Sequence, residues 1–177
     1  MRTAIFVLAG TCIVGAAYGQ ALPSLDSQYE LSEAKLLELE SLPLGIAVTH
    51  DSESALATWD GRQNPPIKWY YTTEVSSLSE SVTITEFGSF AWYEDQWVFN
   101  NVTGKPFTQL DFEKWYSCPG GQLVGEQAFA DHSNWSSGCR LAAGKARWYF
   151  IGVNELGERV KGEAIIELAA DFVAPAE

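Results

Sequence analysis

The chain has two histidines, and each stands beside an acid, as His50-Asp51 and as Asp131-His132-Ser133. An acid, an imidazole and a hydroxyl are the parts of a proton-relaying triad. Neighbours in an extended chain point in opposite directions, however, and working triads are assembled from distant segments. No Gly-x-Ser-x-Gly elbow is present to expose a nucleophile. Carboxylates are paired at Glu94 and Asp95, Asp111 and Glu113, and Glu163 and Glu167. Glycoside hydrolysis needs two carboxylates roughly 5–10 Å apart across a cleft, which spacing along a chain does not create. The acids at Asp51, Glu53, Asp60, Glu94 and Asp95 lack the spacing of a calcium loop. We therefore assign no catalytic residue, no metal site and no cofactor from sequence.

The tryptophans carry more. Trp69 and Trp148 lie in strand-like runs and are expected in the core, whereas Trp92 and Trp97 flank a hairpin loop and Trp135 lies in a loop-rich stretch. Trp92, Trp97 and Trp135 are the candidate binding surface, because exposed rings stack on sugars and anchor protein partners. Asn101-Val102-Thr103 and Asn134-Trp135-Ser136 fit the N-glycosylation pattern, which places Asn101 and Asn134 in surface loops.

Residues 1–19 read as a signal peptide: Arg2 supplies the positive start, Ala4 to Ala17 the apolar run, and Ala17-Tyr18-Gly19 the exit. The mature chain is expected to be secreted, or periplasmic in a bacterium. No later run approaches the roughly 20 apolar residues of a membrane span. The net charge of −12 repels nucleic acid and anionic lipid, so neither is an expected partner. Cleavage removes Cys12 and leaves Cys118 and Cys139, which read as one disulfide in an oxidising compartment. Such a bridge stabilises a fold by about 3 kcal/mol.

The elements that must position these residues are mostly strands. A lead-in, residues 20–45, is rich in Leu and Glu, with Ser32 as the N-cap of a short helix that Pro43 stops; it is docked, disordered or partner-binding. A β domain follows over residues 46–172, then a tail, 173–177. Strands are expected at Ile46 to Thr49, Ile67 to Thr73 and Val82 to Thr85, and a hairpin at Ser89 to Asn100 turns either at Glu94-Asp95, which is not a favoured primed-turn pair, or through a longer loop. Thr108 caps a helix reaching Tyr116, which Cys118-Pro119-Gly120-Gly121 ends. A further strand is expected near Gln127 to Ala130. The closing hairpin pairs Arg147 to Val153 with Val160 to Leu168 around Asn154-Glu155-Leu156-Gly157.

Leu141-Ala142-Ala143-Gly144, the strand through Trp148 and Ile151, and the return strand to Leu168 resemble the penultimate and last strands of immunoglobulin-like and fibronectin type III-like domains. The resemblance implies a mostly β fold, an immunoglobulin-like antiparallel β-sandwich with one short inserted helix, and it carries no catalytic residues. The expected function is that of an exported non-enzymatic binding or structural module, or an accessory subunit of an extracellular or periplasmic assembly, whose partner is a protein. The alternatives are a carbohydrate-binding protein and a small secreted hydrolase.

Overall fold

The computed structural model describes residues 25–173. The expected signal peptide, Cys12 and the last four residues lie outside them. The element order is α1 (Leu25–Ser41), β1 (Ile46–His50), β2 (Ser54–Trp59), β3 (Ile67–Ser77), β4 (Ser81–Tyr93), β5 (Gln96–Phe99), β6 (Phe107–Thr108), α2 (Gln109–Tyr116), β7 (Gln122–Val124), β8 (Phe129–Gly138), β9 (Gly144–Asn154) and β10 (Arg159–Phe172).

The fold is mostly β, as expected, but its strands form one continuous sheet instead of two facing ones. The reason lies in β4, which pairs with β9 along one edge and, along the other, in turn with β7, β6 and β5. β3 likewise takes β1 and β2 in succession on one side and β8 on the other. Long strands with successive partners make a sheet that curls into a half-barrel. The sheet is mixed: β2 runs parallel to β10, with Glu167 opposite Ser54 and Leu168 opposite Ala55.

The hollow of the curl is filled. Phe87 stacks on Phe150 with ring centres 5.6 Å apart, and Phe112 and Tyr116 of α2 close over both. α2 forms where the local signals demand it, because Thr108 and Asp111 complete a reciprocal capping box and Ser117 ends the helix in the left-handed region. Alternation along β9 sends Trp148 and Phe150 into this inner core and Tyr149 and Ile151 to the outer face, where a second core forms with Phe90, Phe99 and Leu39. β9 is therefore buried on both faces, as its run of aromatic and β-branched residues requires.

α1 covers that second core. It starts at Leu25, so Ser32 is not its N-cap; the Ser32 hydroxyl lies mid-helix, donating to Gln28 O and accepting from Phe99 N at 2.7 Å. The lead-in is thus docked on the sheet. At β10 the chain comes so close to β1 that a Cβ on Gly162 would lie 2.4 Å from Ile46 O, which only glycine tolerates.

Two further expectations are corrected. Cys118 forms no bridge with Cys139: it is a free thiol, fully buried, whose Sγ donates to Gln122 O at 3.3 Å. Cys139 follows Gly138, which pairs with Ile67 at one end of β3, whereas β7, just beyond Cys118, pairs with Ser81 to Thr83 past the other end. At about 3.3 Å per residue, most of the length of β3 separates them, far beyond the reach of a disulfide. The stretch between the two cysteines is not a loop excursion either, because half of it is the ten-residue strand β8 and Gln122–Val124 forms β7.

Candidate functional site

Among the described residues, three of the places where polar or aromatic side chains come together bear on function. The first lies between α1 and β5. Helical spacing puts Tyr29, Glu33, Leu36, Leu37 and Glu40 on one stripe, which forms a groove of about 380 Å³ with Gln96 and Trp97 of β5. Trp97 is paired edge-to-face with Trp92 across the hairpin, with ring centres 5.0 Å apart at 69°. The hairpin turns at Glu94 and Asp95, both with positive φ, as a two-residue primed turn demands.

Charge fixes the groove's inner wall. Lys35 reaches under α1 to Glu86 of β4 at 2.7 Å and to Glu38, which also binds Arg159. Burial opposes the Lys35 charge, but the hydrogen bonds it donates to Glu38 and Glu86 outweigh that and raise the pKa. Burial likewise works against the Glu38 carboxylate, and its bonds to Lys35 and Arg159 prevail and hold its pKa down. The Tyr149 hydroxyl is buried close by without a hydrogen-bond partner, and burial, then the Glu86 charge, raises its pKa.

The second place is the outer face of β3 and β8. Trp135 stands opposite Tyr70, 37% and 47% exposed, and the Lys68 ammonium lies 3.6 Å from the Trp135 ring centre. One ring face of Trp135 is thus occupied by a cation.

The third is a polar seam inside the curl. Thr73 Oγ1 accepts from Asn134 Nδ2 at 2.7 Å and lies 3.1 Å from His50 Nδ1. Trp148 Nε1 donates to the Tyr71 hydroxyl, which also bonds Ser136 Oγ at 2.8 Å. Burial pushes Tyr71 up to about 12, lowers the His50 pKa and raises that of Asp131. His50 Nε2 and the Tyr116 hydroxyl are buried without partners. The seam lies within packed aromatic core, and its bonds hold β1, β3, β8 and β9 in register.

The predicted residues therefore scatter. Trp92 and Trp97 meet at the groove; Trp135 stands apart on the far half of the sheet. Asn101 and Asn134 are buried, which corrects their reading as exposed acceptors. Asn101 Oδ1 accepts from Ser89 N and its Nδ2 donates to Lys105 O, while Asn134 is the strand residue that bonds Thr73. Both amide nitrogens that a glycan would need are spent internally. His132 is exposed on β8, and His50 belongs to the seam. Sequence reasoning missed Tyr29, Glu33 and Glu40 of the groove; their stripe at 29, 33, 36 and 40 is visible in the sequence once a helix starting near Leu25 is recognised. No group of His, Cys, Asp and Glu able to hold a metal occurs among the described residues, and none of their helices is long and apolar enough to cross a membrane.

No protein-family model matches the chain, and neither does any curated protein.

Proposed function

We propose that this chain is an exported, non-enzymatic binding module that docks a protein partner on the groove between α1 and β5. The single observation that carries the reading is the division of α1. One face is bound to the sheet through Leu39, Lys35 and Ser32, and the other, with Leu37 60% exposed, walls an open groove beside the Trp92–Trp97 pair. An exposed leucine beside aromatic rings, with charged side chains around it, is what protein interfaces use as an anchor. Export rests on the run from Ala4 to Ala17. Kinship with immunoglobulin-like modules rests on the closing hairpin alone, since the parallel pairing of β2 with β10 and the packed α2 lie outside that pattern.

A photo-crosslinking amino acid at Leu37, introduced in the native host, tests the reading. A discrete adduct from position 37 and none from the still more exposed turn residue Leu156 is the expected result. Equal labelling from both, or none from position 37, refutes it.

Carbohydrate is the second reading, favoured by Trp135 beside Tyr70 on one sheet face. Against it, Trp92 and Trp97 are steeply inclined and Lys68 covers one face of Trp135, so no coplanar platform forms among these rings. Titration with soluble polysaccharides followed by tryptophan fluorescence separates the two; quenching that Trp135→Ala abolishes would favour the sugar.

A further inference from the structure

We infer that the occupant of the α1–β5 groove is a basic amphipathic helix of the partner, with two cations seven residues apart and apolar side chains between them. This deepens the docking reading and rests on it. Glu33, Leu37 and Glu40 follow one another along the groove at helical spacing, so an exposed leucine is bracketed by two carboxylates. Seven residues of α-helix span about 10.5 Å, and a partner helix repeats the same spacing on its own face with a pair at positions i and i+7.

The carboxylates are available. Neither Glu33 nor Glu40 takes part in a salt bridge or side-chain hydrogen bond among the described residues, in contrast to Glu38, which is held by Lys35 and Arg159. Lys35 is the one basic residue of α1, and it is turned to the sheet. Glu30, also exposed, adds a further negative charge on the same helix, outside the groove lining. Tyr29 supplies a ring on which a lysine or arginine stem packs, and Trp97, over whose ring the Arg147 guanidinium lies at 5.9 Å, lines the same groove. An anionic partner would meet uncompensated repulsion at this rim, in a chain that already carries −12.

The test uses a dye-labelled, sixteen-residue alanine-based helical peptide with lysines at its fourth and eleventh positions and leucines at its seventh and eighth. Fluorescence anisotropy with the mature protein should give saturable binding that weakens with added salt. Glu33→Gln with Glu40→Gln should weaken it roughly fivefold and flatten the salt dependence, as two exposed charge pairs predict. Leu37→Ala should weaken it at all salt concentrations. A peptide with glutamate in place of lysine should not bind. Equal binding of both peptides, or of the lysine peptide to the doubly substituted protein, overturns the inference, as does absence of binding. If position 37 still crosslinks a partner in that event, the docking reading stands and only the cationic class falls. A missing crosslink removes the docking reading itself.

Discussion

Lys35 Nζ lies 2.7 Å from Glu86 Oε1, so the one cation of α1 ties the helix to β4 across the outer face of the sheet. The Lys35 ammonium lies 5.9 Å from the Tyr149 ring centre, and the two side chains of the pair are mostly buried. Its environment lies between that of a surface pair and a fully buried one.

Lys35→Ala should therefore cost about 1–3 kcal/mol in urea unfolding, mostly because Glu38 and Glu86 lose their shared cation. Lys35→Met combined with Glu86→Gln should recover part of that loss. The Glu38 pKa is held below 4.5, so its contribution is present above that pH and lost as the pH falls through the folded-state value. Lys35, raised above 10.5, keeps its contribution below that pH and loses it in stronger alkali.

The inner seam predicts a separate pH dependence. His50 has a pKa below 6.5 because burial disfavours its cation, so below pH 6.5 the unfolded chain takes the proton first and stability falls. His50→Gln should remove that slope from a series of urea midpoints between pH 7 and pH 5. Asp131 behaves in the opposite sense. Burial raises its pKa above 3.8, so stability falls as the pH rises through 3.8 and levels off above the folded-state value. Asp131→Asn keeps an acceptor for Ser133 N–H and should stabilise the protein at pH 7 by about 0.5–1 kcal/mol after solvent screening.

At the tip of the groove hairpin, Glu94 and Asp95 occupy positive φ, which non-glycine side chains disfavour. Asn-Gly is the pair suited to this turn. Glu94→Asn with Asp95→Gly should raise stability by about 0.5–1 kcal/mol in thermal unfolding while leaving peptide binding unchanged.

Cys118 should resist alkylation in the folded protein and react fully in denaturant, since burial pushes its pKa up to about 11. Mass spectrometry of the unreduced peptide digest reads this directly, and a peptide linking Cys118 to Cys139 would refute the structure at that point. Cys118→Ala should cost about 1–2 kcal/mol from lost packing.

Asn134→Ala should destabilise by about 1–3 kcal/mol by removing the amide that donates to Thr73 Oγ1 and the carbonyl that accepts from Trp135 N. The intact mass of protein secreted from a eukaryotic host should show no glycan on Asn101 or Asn134. A glycosylated, fully folded form would contradict the internal bonding of those amides.

Local chemistry determined part of this molecule in advance. The closing hairpin and α2 are legible because their signals are carried by neighbours: alternation from Val160 to Leu168, the turn at Asn154 to Gly157, and the Thr108–Asp111 capping box. The Ser89 to Asn100 hairpin is legible from its aromatic strands, whereas the two-residue length of its turn is decided by the pairing of Tyr93 with Gln96, since Glu-Asp equally allowed a longer loop. Tertiary structure alone decided the rest. β2 reads as polar chain because Ala55 and Ala57 become core residues only through pairing with β3 and with β10, far away in sequence. β8 looks like a glycosylated loop until β3 supplies its partner strand and Thr73 its partner for Asn134. The fate of Cys118 likewise depends on which end of β3 it reaches. The groove belongs to this second class, because its residues become neighbours only when Lys35 and Ser32 fasten α1 beside β5. Contacts between distant segments depend on how a curled sheet closes, and no short window of sequence encodes that closure.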